Sequence, residues 1–80
     1  MTVQVLLFAS YADALGASRL AVDLPAGATV GDLLAHVRQL AAGKRVPDRP
    51  LVAVNRRYAH DDHPVTSTDE VAIIPPVAGG

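Results

Sequence analysis

Residues 29–43, TVGDLLAHVRQLAAG, show the clearest helical periodicity in the chain. Their apolar side chains recur three, four and seven positions apart, which places them along one face of an α-helix. Thr29 is a favourable N-cap, Asp32 stands at the capping-box position, and Gly43 is a typical helix stop. The stretch therefore predicts an amphipathic helix over about residues 30–42. Its apolar stripe consists of Val30, Leu33, Leu34, Val37, Leu40 and Ala41.

Strand-like segments lie on both sides of this helix. They are apolar and β-branched, or they alternate polar with apolar residues. Tyr58-Ala59 is a candidate for a further short pairing, after a turn at residues 55–57. Ser10 is placed to cap one helical turn from Tyr11 to Leu15, which Gly16 ends. The predicted strands are residues 3–8, 19–24, 51–55 and 70–74.

The order of elements, β-β-α-β-(β)-β, predicts an α+β fold. A right-handed crossover through the helix returns the third strand to the sheet that holds the first two. For 80 residues, the economical arrangement is a ubiquitin-like β-grasp, a mixed sheet of four to five strands covered by one main helix. A split βαβ fold would need a second full helix, and residues 10–15 are too few to supply one. We predict a single domain over residues 1–80, with residues 75–80 as an extended tail.

Composition and charge restrict what such a domain does. Half of the residues are apolar and 19% are charged, which is typical of a globular domain. The net charge of −1 offers no basic field for nucleic acid or for an anionic membrane. No apolar run approaches the roughly 18 residues of a membrane span. The absence of cysteine excludes a thiolate nucleophile and Cys-type metal sites, and it favours a reducing, cytoplasmic location.

Two polar groups of residues are interpreted as ordinary surface. The segment His60-Asp61-Asp62-His63 contains metal-ligand side chains, but its spacing matches no closed zinc site, so we expect a solvated turn without a metal. The basic residues are expected in solvent-facing loops. A charged rim that docks an acidic partner is the alternative for them. They are Lys44, Arg45, Arg49, Arg56 and Arg57.

The chain ends in Pro75-Pro76-Val77-Ala78-Gly79-Gly80. The two prolines end the ladder of the last strand and stiffen its exit, so the tail is predicted to project. Gly79-Gly80 lacks side chains and fits a channel too narrow for other residues. A carboxylate donates its acyl group only after activation, typically as an acyl-adenylate. The sequence contains neither a P-loop nor a GxGxxG motif with which it could bind ATP for this activation. The chain is therefore predicted to be the substrate of a separate ATP-using enzyme.

Four segments carry a family pattern: residues 5–9 (VLLFA), 52–55 (VAVN), 62–64 (DHP) and 69–80 (DEVAIIPPVAGG). Over essentially the whole chain they resemble the small subunit of molybdopterin synthase, a ubiquitin-like sulfur carrier. The ending is the most specific part, because the thiamine-pathway carrier shares Gly-Gly but lacks the Pro-Pro-Val approach. The turn Ser67-Thr68-Asp69 departs from the Gly-Asp pair that is usual in the family. The first-helix region also departs, since it lacks the usual Arg-Glu pair.

The resemblance implies that the chain carries sulfur for molybdenum cofactor biosynthesis. An E1-like adenylyltransferase would activate the carboxylate of Gly80 with ATP, and sulfur would then replace one oxygen to give a thiocarboxylate. The tail, with Gly79 and Gly80 as its reactive end, would enter the large synthase subunit. Sulfur transfer to cyclic pyranopterin monophosphate would occur there, in an assembly of two small and two large subunits. The chain would be a non-catalytic subunit that binds no cofactor, and the activating enzyme would consume the ATP.

The resemblance also implies a partner interface. Packing in the hydrophobic core is the alternative for Phe8 and Ile74, because strand alternation decides which face each side chain occupies. Tyr58 has a polar tip and suits an interface rim. The implied interface residues are Phe8, Tyr58, Ile74, Pro75, Pro76 and Val77.

Three other functions fit the same residues. The carrier chemistry could serve a thiamine or cysteine biosynthetic enzyme instead. The activated Gly80 could be joined to lysines of other proteins, as in a ubiquitin-like modifier. The domain could also be an interaction module with an inert tail.

Overall fold

The computed structural model describes residues 1–41 and 49–75. The predicted helix stop Gly43, the basic residues Lys44 and Arg45, and the tail residues 76–80 lie outside these ranges. The elements are β1 (Thr2–Leu7), α1 (Ala9–Leu15), β2 (Arg19–Asp23), α2 (Val30–Leu40), β3 (Leu51–Val54), β4 (Arg57–Tyr58) and β5 (Glu70–Ile74).

The strands form one five-stranded sheet in the order β2-β1-β5-β3-β4. β1 and β5 run parallel at its centre, with Val5 opposite Val71. The other neighbouring pairs are antiparallel. Helix α2 lies in the connection from β2 to β3, as the predicted crossover requires. The predicted ubiquitin-like β-grasp is therefore confirmed, with a mixed sheet and one main helix.

Helix α2 begins as the sequence predicts. Thr29 Oγ1 accepts a hydrogen bond from the Asp32 N–H at 3.3 Å, and Asp32 Oδ2 accepts one from the Thr29 N–H at 2.9 Å. This capping box satisfies two backbone donors that the first turn would otherwise leave unpaired. The helix ends at Leu40, two residues earlier than predicted, with Ala41 as its C-cap.

Helix α1 differs from the prediction at its start. It begins at Ala9, so the expectation that Ser10 caps it is wrong. The N-cap is Phe8, which is extended (φ −121°, ψ 150°) and makes no side-chain cap bond. Its N–H donates to the Ile73 carbonyl at 3.2 Å, so the residue directly before the helix is bonded to β5. Gly16 ends α1 in the left-handed conformation (φ 67°), as predicted.

The hydrophobic core lies between one face of the sheet and the helices. It includes Val3, Val5, Leu7, Tyr11, Val22, Leu33, Val37, Val71 and Ile73, all of which are buried. Residues of β1 and β5 enter this core at alternate positions, as the period of a strand requires. Within residues 1–41 and 49–75, no helix is long and apolar enough to cross a membrane.

Candidate functional site

The face of the sheet opposite the core is not covered by a helix in the described parts of the chain. Val71 and Ile73 of β5 point into the core, whereas Ala72 and Ile74 are only half-buried. In β1, Leu6 is half-buried between two core residues. The strand period therefore places Leu6, Ala72 and Ile74 together on the open face. This face is where the sheet can meet another molecule.

A groove of about 360 Å³ lies on this open face. Phe8 and Tyr58 beside it are 47% and 72% exposed, although both are large apolar side chains. Such residues grouped on one surface patch are typical of a protein-docking site. The groove is lined by Leu6, Phe8, Ala53, Arg56, Tyr58, Glu70, Ala72 and Ile74.

The groove brings together Phe8, Tyr58 and Ile74, which the sequence analysis named as interface residues. Core packing, the alternative for Phe8, does not occur, because its side chain is about half exposed. Ile74 is half-buried and lines the groove. Pro75 follows directly, so the chain leaves the sheet beside the groove. The remaining predicted site residues, Pro76, Val77, Gly79 and Gly80, lie outside the described residues.

A tight turn between β3 and β4 positions Tyr58. Asn55 and Arg56 at its centre both have positive φ, 53° and 70°. Two such residues form the type I′ geometry that matches the twist of a two-residue hairpin. The hairpin sets Ala53 opposite Tyr58, so both side chains lie on the open face. The sequence predicts a turn here but not its type, because the second position holds arginine where glycine is usual.

Two polar residues that the sequence analysis did not assign to the site support this hairpin. The Asn55 amide donates to Asp69 Oδ1 at 2.8 Å, and Asn55 Oδ1 accepts from the Glu70 N–H at 2.9 Å. Asp69 Oδ2 also accepts from the Thr66 N–H at 2.8 Å. The sequence feature that could have revealed the role of Asp69 is the Thr66-x-x-Asp69 spacing, which resembles a capping motif. In the turn that departs from the family pattern, the Asp69 carboxylate thus accepts a hydrogen bond from the backbone N–H of Thr66, three residues earlier.

These hydrogen bonds also affect the charge of Asp69. The bond from Asn55, followed by that from the Thr66 backbone, lowers the pKa of the Asp69 carboxyl below its ordinary value of 3.8. Hydrogen bonds to a carboxylate favour its ionised form. The next residue, Glu70, lines the groove together with Arg56, so the apolar lining carries one acidic and one basic side chain.

A second, larger hollow of about 750 Å³ lies between α2 and residues 60–62 of the loop His60-Asp61-Asp62-His63. The loop is exposed, as predicted, and the described residues contain no group of three or more His, Cys, Asp or Glu side chains placed to hold a metal. Its carbonyl groups have a structural role instead. His63 O accepts from the Val30 N–H at 2.9 Å, and Asp61 O accepts from the Gly31 N–H at 2.8 Å. The loop thereby satisfies donors of the first turn of α2.

The apolar groove, beside which the chain leaves β5, is thus the candidate site. Residues 5–80 match the ThiS family, a span that includes every residue of the groove. The chain belongs to the ThiS family. It is similar to the protein named molybdopterin synthase sulfur carrier subunit in Escherichia coli K12, with 35% identity over 80 residues, 98% of this chain and 99% of the relative. It is 34% identical to the Arabidopsis thaliana protein of the same name, over 98% of this chain and 82% of that relative.

Solved structures agree on the fold. A Pyrococcus furiosus protein described as a putative molybdopterin converting factor, subunit 1, superposes with a TM-score of 0.82 at 27% identity, over 96% of this chain and 99% of that one. The small archaeal modifier protein SAMP1 of Haloferax volcanii gives a TM-score of 0.80 at 28% identity, over 100% of both chains. Subunits 1 and 2 of a molybdopterin-converting factor from Helicobacter pylori form a complex that includes a chain of the same fold, with a TM-score of 0.69, 20% identity and full coverage of both.

Proposed function

We propose that this protein is the sulfur carrier subunit of a molybdopterin synthase. The observation that carries the proposal is the apolar groove beside which the chain leaves β5, in a ThiS-family chain that ends in Gly79-Gly80. Relatives at 34% and 35% identity bear the name of that subunit. The body of the domain is recognised, and the tail delivers the sulfur.

The reactive group in this proposal is the carboxylate of Gly80. An oxygen of this carboxylate attacks the α-phosphorus of ATP in an E1-like adenylyltransferase, which forms the acyl-adenylate and releases pyrophosphate. A sulfide-level donor then attacks the carbonyl carbon and displaces AMP, leaving a thiocarboxylate. The ATP belongs to the activating enzyme, and the carrier itself binds no cofactor. ATP consumption also favours the cytoplasm as the location of the reaction.

The second half of the cycle takes place in the large synthase subunit. The thiocarboxylate sulfur bonds to a carbon of cyclic pyranopterin monophosphate as an oxygen substituent leaves that carbon. Water then hydrolyses the resulting thioester, which leaves the sulfur on the product and restores the Gly80 carboxylate. Since a dithiolene contains two sulfur atoms, two charged carriers are used for each product, which suits an assembly of two small and two large subunits. The Helicobacter pylori complex of subunits 1 and 2 supports a large-subunit partner.

The groove supplies the recognition surface in both halves of the cycle. In this proposal Phe8, Tyr58 and Ile74 of the groove make the apolar contact with the partner, and Pro75, Pro76 and Val77 follow Ile74 in the sequence as the start of the tail. Desolvation of exposed aromatic side chains in a partner's pocket is a common source of binding energy. A compact groove suits a carrier that must bind two enzymes in turn and leave each of them.

The mass of the intact chain tests this function. After co-expression with the activating enzyme and a sulfur source, the purified chain should be heavier by the difference between sulfur and oxygen. A chain that lacks Gly80 should show no such gain while it keeps the same melting temperature. If the complete chain always carries an unmodified carboxylate under these conditions, the proposed chemistry is wrong.

A protein modifier is the second candidate function, and the similarity to SAMP1 of Haloferax volcanii favours it. The same acyl-adenylate would then react with a lysine amine, forming an isopeptide bond and releasing AMP. Gly-Gly remnants on lysines of other proteins, found by peptide mass spectrometry, would establish this use. A carrier for thiamine or cysteine biosynthesis would instead be distinguished by which enzyme the charged chain binds in a pull-down.

A further inference from the structure

The outer edge of β2 has no strand partner within residues 1–41 and 49–75. β2 comes first in the sheet order and pairs with β1 on its inner side. An edge strand presents a row of backbone donors and acceptors that can pair with a strand of another molecule. This edge lies at the opposite side of the sheet from β4, which carries Tyr58 of the docking groove.

The ladder between β1 and β2 shows which backbone groups face outward. The Leu24 N–H donates to Met1 O at 2.8 Å, and the Leu7 N–H donates to Ser18 O at 2.9 Å. In an antiparallel ladder, hydrogen-bonded pairs alternate with pairs that are not bonded. The even-numbered residues of β2 therefore bond to β1, and its odd-numbered residues direct their N–H and C=O groups to the free edge.

The three odd-numbered residues of β2 are Arg19, Ala21 and Asp23, and all three are exposed. We propose that this edge pairs with the same edge of a second copy of the chain, antiparallel, about a two-fold axis at Ala21. In this register the two Ala21 residues exchange both backbone hydrogen bonds. Arg19 of each copy exchanges them with Asp23 of the other, which gives about six hydrogen bonds in all.

Charge identifies a second copy as the occupant. Arg19 and Asp23 lie four positions apart, so their side chains share the open face of the sheet. The two-fold axis brings each arginine directly opposite an aspartate of the other copy, and opposite charges in such cross-strand pairs attract. The Thr2 hydroxyl donates to Asp23 Oδ1 at 2.7 Å, which holds that carboxylate on the same face. The strand is therefore complementary to itself.

Other symmetric registers fit less well. An axis at Arg19 sets the two arginines opposite each other, and an axis at Asp23 does the same with the two aspartates. Like charges in directly opposed positions are unfavourable. The hydrogen-bond ladder between the two copies cannot extend far beyond Asp23. The next residue whose backbone faces the free edge is Pro25, which has no N–H to donate. The axis at Ala21 is the register that pairs both charges.

The size of the contact predicts a weak, reversible dimer. Two five-residue strands bury less than the roughly 1,200 Å² at which stable protein interfaces begin. The dimer is a closed, isologous pair in a sheet of twice the width, and the groove beside β4 remains accessible on each copy. This inference does not rest on the sulfur-carrier function.

Charge reversal tests the pairing with the full-length chain, by sedimentation velocity from about 10 μM to about 1 mM. Arg19→Asp and Asp23→Arg should each weaken self-association at least about tenfold, because the axis creates two like-charged pairs in each dimer. An equimolar mixture of the two variants should associate again, since every pair in the mixed dimer is then of opposite charge. Asp13→Arg, at an exposed position of α1, is the matched control and should associate like the original chain.

Amide hydrogen exchange locates the contact. The N–H groups of Arg19, Ala21 and Asp23 should exchange more slowly as the protein concentration rises, while that of Leu20 should be unaffected because it already bonds to β1. Absence of association at about 1 mM would overturn the proposal. Association that survives Arg19→Asp, or that leaves the Ala21 amide unchanged, would also overturn it and would indicate another surface, such as the groove.

Discussion

The side-chain amide of Asn55 donates a 2.8 Å hydrogen bond to Oδ1 of Asp69, across 14 positions of the chain. The bond joins the β3–β4 turn to the turn that precedes β5. Arg56 lies in the first of these turns and Glu70 directly follows the second, and both residues line the apolar groove. The bond thus links the residue directly before Arg56 to the residue directly before Glu70.

Replacement of Asn55 should measure what this link contributes to stability. Asn55→Gly removes both side-chain hydrogen bonds but suits the positive φ of 53°, and we expect it to cost about 1 to 2 kcal/mol. Asn55→Ala removes the same bonds and adds backbone strain, so it should cost about 1 kcal/mol more. Urea denaturation of the two variants gives both values. Equal stability of the two variants would show that the backbone conformation contributes nothing.

The pH dependence of stability should reveal Asp69. Its hydrogen bonds, first from Asn55 and then from the Thr66 N–H, lower the pKa of the folded state below 3.8. Stabilisation by these bonds is therefore complete above the unfolded pKa and is lost as the pH falls through the folded one. Asp69→Asn removes this titration, so the variant should lose less stability than the original chain between about pH 5 and pH 2. Parallel slopes in thermal unfolding over that range would contradict the assignment.

Local patterns in the sequence were sufficient to predict the start of α2 and the bounds of β5. The stripe from Val30 to Val37 and the Thr29–Asp32 capping box both appear as predicted, because each depends on residues within a few positions of one another. β5 has the predicted bounds, Glu70–Ile74, for the same reason.

Features set by distant contacts were not predictable in this way. Ser10 is the better local cap for α1, yet the helix begins at Ala9, directly after Phe8, whose N–H bonds to Ile73 of the distant strand β5. The pairing of Asn55 with Asp69 likewise exists because β3 and β5 are neighbours in the sheet. Alternation could not decide between core and surface for Phe8, since that depends on which face the helices cover.

The capping box of α2 makes a separate prediction about folding stability. Thr29→Ala removes the hydroxyl that accepts from the Asp32 N–H, and it should destabilise the domain by about 1 kcal/mol. Ser67→Ala, which removes a hydroxyl at an exposed position outside the helices, is the control and should stay within about 0.5 kcal/mol of the original chain. The midpoints of urea denaturation report both changes. A larger effect at Ser67 than at Thr29 would refute the importance of the cap.

Substitutions of the exposed groove residues are expected to weaken binding to partners without destabilising the domain. Phe8→Ala and Tyr58→Ala remove side chains that are 47% and 72% exposed in the isolated domain, so each should change its stability by less than about 1 kcal/mol. The same changes should weaken binding to the proposed activating enzyme and to the proposed large subunit by about tenfold or more, because buried aromatic contacts commonly dominate such interfaces.

Leu40→Ala is the matched control for these two variants. Leu40 is 51% exposed, which is close to Phe8, but it lies at the end of α2 and outside the groove. Isothermal titration calorimetry against each partner should therefore give unchanged affinity for this variant, and melting temperatures would confirm that all three remain folded. If the Leu40 variant loses as much affinity as the Phe8 variant, exposed apolar area in general drives the contact. The groove would then have no special role in docking.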